Sequence, residues 1–218
     1  MNDTLEFKEY FGSPIYTVEL PELLLSLNKE TDIFIKTAKD KNKKFIKQRE
    51  VKLKKKIGDF GLSHHSTSLI NVPAFQEFQK YIQDRSIEIL DHMGYDLRNH
   101  ILNLKELWVQ QFAEKGGGHH DRHVHYNSHV SGFYFLKCSN KTSFPIFNDP
   151  RLNKVMNQLP LKKESNITTG TKSIIFDIKP GTLIMFPSFL EHEFYFDYGI
   201  NTFKFIHFNI EAVRKNEF

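Results

Sequence analysis

The chain has 218 residues, 39% of them hydrophobic and 21 of them phenylalanine, which is enough apolar material for one domain with a substantial core. A formal charge of +4 does not make the molecule a polyelectrolyte as a whole, and no apolar run reaches the roughly 18–20 residues of a membrane-spanning helix. The single cysteine, Cys138, excludes an intrachain disulfide, and residues 1–12 lack the pattern of a secretory signal, so a cytoplasmic protein is expected.

Taken in order, Phe11-Gly12-Ser13-Pro14 reads as a turn leading into a short strand over Ile15–Val18. Pro21 opens a helix through Leu23, Leu24 and Leu27. Residues 29–56 are charged; a second helix around Ile33–Ala38 followed by a loop is expected there. Lys36–Lys56 is dense in lysine, which admits a nucleic-acid patch or a solvated helix face; it lacks the interleaved aromatic residues of a base-stacking platform. Phe60–Ser63 reads as a turn, and His64-His65 as part of a polar surface loop. The clearest helix spans residues 74–93, where Phe75, Phe78, Ile82, Ile89 and Met93 share one face and Gly94 ends it.

From residue 101 the periodicity changes to strands. Leu102–Gln110, Val130–Cys138, Phe144–Phe147, Lys172–Ile178, Thr182–Phe186, Glu193–Phe196 and Phe203–Ile210 are predicted, with turns at Pro180-Gly181 and Asp197-Tyr198-Gly199 and a loop over 152–170. Many short strands punctuated by glycine and proline predict a mainly β fold with flanking helices: a sandwich or barrel-like jelly roll with an N-terminal helical layer. The expected organisation is a single domain over 1–218, with 1–100 mostly helical and 101–212 forming the jelly roll.

The densest chemistry lies in Gly116–Leu136, GGGHHDRHVHYNSHVSGFYFL, which holds five of the chain's 11 histidines. Neutral imidazole is the commonest side-chain metal ligand, and residues i and i+2 of a strand face the same way. His123 and His125 therefore offer two converging nitrogens. His119-His120-Asp121 offers the competing His-x-Asp spacing, and His192 is a distant third donor. His119, His120 and His129 are weaker ligand candidates, and His207, inside an apolar strand, reads as a hydrogen-bonded core residue. A three-ligand face with open positions opposite suits a non-heme iron centre that activates oxygen.

Several segments, in this order, resemble the 2-oxoglutarate- and Fe(II)-dependent oxygenases of bacteria and their phages, a branch of the double-stranded β-helix superfamily. They are Phe11-Gly12-Ser13-Pro14, His123–Ser128 with Ser131–Leu136, Phe147–Arg151, Pro180–His192 and Phe205–Asn209. The resemblance covers residues 101–212 well and the N-terminal half thinly. It implies that His123, His125 and His192 hold iron, and that 2-oxoglutarate and O2 bind beside it. It further implies that 2-oxoglutarate is decarboxylated to succinate while a substrate is oxidised. It also implies a basic residue on the last core strand that clamps the far carboxylate of 2-oxoglutarate. Lys204 is the nearest candidate, with Tyr134 and Ser131 as further hydrogen-bond donors to the cosubstrate.

Two departures from the family pattern stand out. Lysine replaces the usual arginine, which loses the bidentate fork. His125 stands where most relatives in the wider superfamily carry aspartate, so the ligand set has one negative charge fewer. That weakens the hold on Fe(II) and admits zinc as a competitor. Arg151 either pairs with Asp149 to hold the turn or meets an anionic substrate. The alternative to an oxygenase is a cupin-like metal-binding or ligand-binding module without turnover.

Overall fold

The structure, a computed structural model, describes residues 11–138, 144–151, 159–164, 166–197 and 201–215. In chain order the elements are β1 (Tyr16–Glu19), α1 (Pro21–Leu53), β2 (Ser63–His65), a 3₁₀ turn (Pro73–Phe75), α2 (Gln76–His92), β3 (His100–Phe112), β4 (His120–His123), β5 (Val130–Lys137), β6 (Pro145–Asn148), β7 (Ser173–Ile175), β8 (Thr182–Pro187), β9 (His192–Phe194) and β10 (Lys204–Arg214). The expected turn at Tyr198 and Gly199, and part of the loop over 152–170, lie outside the described residues.

The strands form two antiparallel sheets, one ordered β1-β8-β5-β10-β3-β2 and the other β4-β9-β6-β7. This is the mainly β architecture that the strand spacing predicts, in the double-stranded β-helix form that the resemblance implies. The expected boundary at residue 101 does not separate helices from sheet: β1 and β2, from the N-terminal part, pair with β8 and β3 at the two edges of the large sheet.

The large sheet is buried on both faces, and each face has its own core. On the helical side, Phe75, Phe78, Ile82, Tyr134, Ile206, Phe208 and Ile210 pack together with Leu27 and Ile35 of α1. Between the sheets, Phe112, Phe133, Phe135, Phe147, Phe186, Phe194, Phe203 and Phe205 form a second core made almost wholly of aromatic rings. At Gly132 a Cβ would run into the ring of Phe208 and the carbonyl of Ile184, so only glycine lets β5 lie this close to its neighbours.

α1 differs from the expectation of two short helices followed by a loop. It is one helix of 33 residues. Proline in its first turn costs no hydrogen bond, Glu22 and Lys52 suit its dipole, and Lys54, at φ 51°, closes it with its N–H on the carbonyls of Glu50 and Val51. Its buried residues, Leu27, Thr31, Ile35 and Ala38, recur every three or four positions and stop at 38. Beyond that point the helix persists without a core contact stripe, because lysine, glutamine and glutamate are good helix formers even in water. Among the described residues, no helix is long and apolar enough to cross a membrane.

Candidate metal centre

Register builds the site. β4 and β9 pair antiparallel with His123 directly opposite His192, which puts both side chains on one face. Their ring centroids are 4.3 Å apart. His125 lies just past the end of β4, held by its N–H on the carbonyl of Ser188 at 3.0 Å, and the chain then turns through Asn127 at φ 57°. The ligand-capable nitrogens of His123, His125 and His192 all lie within 4.8 Å of one another.

The hydrogen bonds fix the tautomers. Nδ1 of His123 lies 2.6 Å from the carbonyl of Asp121, and Nδ1 of His192 lies 2.9 Å from that of Leu190. A carbonyl only accepts, so both Nδ1 atoms carry the proton and both Nε2 lone pairs face the centre. Nε2 of His125 lies 3.2 Å from Nε2 of His192 and 3.1 Å from Nε2 of His207. With a lone pair on His192, the proton belongs to His125 Nε2, and its Nδ1 accepts from Asn209 Nδ2 at 3.2 Å. Asn209 is itself oriented by Ser131, which donates to its Oδ1 at 2.6 Å, and by Glu106, which accepts from its Nδ2. His125 would hold a metal ion through Nε2 only after giving up that proton. Two imidazoles about 2.1 Å from one ion stand roughly 3.0–3.4 Å apart, which brackets the 3.2 Å seen between His125 and His192.

Burial keeps His120, His125, His192 and His207 neutral. It lowers His125 to about 3 and His120 to about 4, with help from the neighbouring His123, and it holds His192 and His207 well below the ordinary imidazole range. Neutral imidazoles are the form that binds a metal. Around them stand Phe133, Phe147 and Phe186, each in ring contact with His192, and Trp108, stacked 4.5 Å from His207.

The remaining sequence expectations divide by strand face. Asp121 does not join the cluster: its side chain is 95% exposed and approaches His119 at 3.7 Å. Ser131 faces the centre but is held by Ser188 and Asn209. Tyr134 and Lys204 face the other way. The Tyr134 hydroxyl donates to the carbonyl of Leu20. Lys204 Nζ, fully buried, donates to Asp32 at 2.7 Å, to Thr31 at 3.1 Å and to the carbonyl of Asn28 at 3.2 Å, all on α1. Neither therefore reaches a cosubstrate at the metal. The reason is the period of two along β10: His207 faces the metal cluster, so Phe205 and Phe203 do too, and Lys204 falls on the helical side. The Lys204→Met variant should lose about 1–3 kcal/mol of stability in urea unfolding while its affinity for metal stays unchanged.

Three further residues went unread as parts of the site. His207 is buried and hydrogen-bonded, as expected, but its partner is the candidate ligand His125. His64, expected on the surface, is buried between Asn42 and Asp59. His65 is exposed and lies 6.2 Å from His120, at the rim of the cluster. Arg151 forms the ion pair with Asp149, at 2.8 Å.

Residues 106–199 match the family model described as "Putative 2OG-Fe(II) oxygenase", a stretch that contains His123, His125 and His192 and ends before β10. This stretch, somewhat under half of the chain, is similar to that oxygenase family. No curated protein sequence matches it. A prolyl-4-hydroxylase of Pseudomonas putida superposes on this chain with a TM-score of 0.53 at 9% identity, over 91% of this chain and 92% of that one. HygX of Streptomyces hygroscopicus, solved with nickel and 2-oxoglutarate bound, gives 0.52 at 10% identity, over 91% and 83%. An oxidoreductase of the 2OG-Fe(II) oxygenase family from Burkholderia pseudomallei gives 0.45 at 12% identity; 65% of this chain is covered, and it spans 58% of that protein. At such identities the first two likenesses establish the double-stranded β-helix fold alone.

Fe(II) and 2-oxoglutarate are the cofactors of this family. The three imidazoles of this chain fit the ion, two of them with lone pairs already aimed. The far carboxylate of 2-oxoglutarate fares differently. The rings and side-chain hydrogen-bond partners that the imidazoles meet are aromatic residues, one another and Asn209, and none carries a fixed positive charge. With Lys204 on α1, Phe203 and Phe205 occupy the face where a clamp on β10 would stand.

Proposed function

We propose that this protein is an Fe(II)- and 2-oxoglutarate-dependent oxygenase, a hydroxylase-type dioxygenase that couples oxidation of its substrate to decarboxylation of 2-oxoglutarate to succinate. The observation that carries the reading is the convergence of His123, His125 and His192 within one family-matched stretch. His123, His125 and His192 would hold Fe(II) through their Nε2 atoms. Fe(II) with 2-oxoglutarate supplies the means to reduce O2 and to oxidise an unactivated position.

The protein's own part is positioning and exclusion of water. The carbonyls of Asp121 and Leu190 hold two ligand rings in the required tautomer. Asn209, fixed by Ser131 and Glu106, sets the third. Phe133, Phe147 and Phe186 form a dry wall behind His192 and keep bulk water from that side of the ion.

The test is anaerobic titration of the Fe(II)-loaded protein with 2-oxoglutarate, followed by admission of air. A charge-transfer band and the formation of succinate are the expected results. The second reading, a metal-binding module without turnover, is favoured by the all-aromatic face that replaces a cationic clamp. It is selected if the ion binds but no band and no succinate appear.

A further inference from the structure

α1 carries the densest charge in the molecule, and the metal centre makes no use of it. Between Lys36 and Lys56 the sequence holds eleven lysines and arginines against two acids, Asp40 and Glu50, while the rest of the chain is net negative. Both acids are engaged. Asp40 pairs with Lys43 at 2.7 Å, and the Glu50 carboxylate accepts the N–H groups of Ile57 and Gly58. Lys39 and Arg49 are tied down as well, on Glu114 and the carbonyl of Phe60. Lys41, Lys44, Lys47, Lys52, Lys54 and Lys55 project into solvent. The helix from 41 to 53 therefore presents about 20 Å of exposed, cationic surface.

The shape of this surface selects its partner. The exposed apolar side chains on this stretch, Phe45, Val51 and Leu53, are spread around the helix at 100° per residue and form no stripe. A helix that lies on a membrane needs such a stripe opposite its charges. A polyanion needs only the charges.

The basic stretch also adjoins the metal centre. Asn42 hydrogen-bonds His64 at 3.0 Å, which ties α1 to β2. The next residue, His65, lies 6.5 Å from Trp108 and 6.2 Å from His120 by ring centroid. His120 in turn lies 4.4 Å from His123. His65 is exposed, and His120 and Trp108 are half-buried, so three flat rings rim the approach to the candidate ligands. Trp108 Nε1 is buried and has no hydrogen-bond partner among the described residues. An acidic polypeptide would meet the lysines but would leave the rings unmatched. A single-stranded nucleic acid matches both, because its bases are free to stack on aromatic faces while its phosphates follow a basic track.

We propose that the oxygenase acts on single-stranded nucleic acid, with phosphates along the exposed half of α1 and bases stacked at the rim of His65, Trp108 and His120. As a statement about substrate this rests on the oxygenase reading above; as a statement about binding it does not.

The experiment is fluorescence anisotropy of full-length protein with labelled single-stranded DNA and RNA 20-mers between 50 and 200 mM salt. Binding that weakens with salt, with a slope of about −0.7 per phosphate neutralised, is expected. Replacing Lys41, Lys44, Lys47 and Lys52 together by Gln should lower affinity at least tenfold and flatten the slope, without changing stability. Trp108→Ala should lower affinity about tenfold, and Trp108→Phe should restore most of it. His192→Ala, which tests the metal centre, should leave binding unchanged, so failure of the oxygenase reading and failure of this one are separable. Equal affinity of the lysine variant, or no salt-dependent binding, overturns the proposal. So does equal or tighter binding to polyglutamate or to phosphatidylserine vesicles. Duplex bound as tightly as single strand, with Trp108→Ala silent, overturns the stacking half.

Discussion

Replacing His192 by alanine should lower Fe(II) affinity more than about 100-fold, a larger loss than the 10–100-fold typical of residues that only support a ligand. His192 is fully buried, has its Nε2 lone pair aimed at the centre, and is tied to a small-sheet register that also places His123. The same change at His207 should have a weaker effect, because His207 reaches the cluster only through His125. Isothermal titration with Fe(II) under nitrogen, or with Co(II) as a spectroscopic substitute, measures both. His192→Gln, which fills more of the site, controls for collapse of the aromatic core. If His192→Ala binds metal as tightly as the parent protein while remaining folded, the ion sits elsewhere and the ligand assignment is wrong.

Acid should destabilise the metal-free protein steeply. Four imidazoles, His120, His125, His192 and His207, are held neutral in the folded state by burial, with His120 at about 4 and His125 at about 3. In the unfolded chain they titrate near 6.5. A base whose pKa is depressed by folding contributes its full stability above the unfolded value and loses it as pH falls, because only the unfolded state takes up the proton. At pH 5 the loss is about 2 kcal/mol for each such group, so urea midpoints should drop sharply between pH 7 and pH 5. Saturating metal should raise stability at pH 7 and lose that advantage over the same range, as protons compete for the ligand nitrogens. A flat urea midpoint from pH 7 to pH 5 in the metal-free protein would show that the cluster is not desolvated as described.

Much of this molecule is legible along the chain. The alternation in Leu102–Gln110 and the apolar runs at Val130–Cys138 and Thr182–Phe186 mark strands that the fold contains. The 3-or-4 spacing of Phe78, Ile82 and Ile89 marks α2. The histidine density around 123–129 marks the histidine cluster. These signals survive because they are local: a period of two or 3.6, or a rare residue type repeated within a few positions.

Other features are illegible for a definite reason. In β10 the run Lys204–Ile210 is buried on both faces, so nothing in its pattern tells which parity faces the helices and which faces the opposite sheet. A clamp at Lys204 and a filler at Phe203 are equally consistent with the string of letters. The length of α1 is similar. Its exposed half has no apolar periodicity to read, and only the capped end at Lys54 shows where it stops.

The sequence by itself determined which residue types are present, where most of the long strands lie, and that three imidazoles with metal-binding chemistry exist. The tertiary structure decided which of them meet. It placed His192 opposite His123 by the β4–β9 register, turned Lys204 toward Asp32 and away from the ion, and set the lysines of α1 beside the rim at His65. Pairing register and layer order depend on contacts between residues far apart along the chain, and a one-residue change in either would exchange every inward side chain for an outward one.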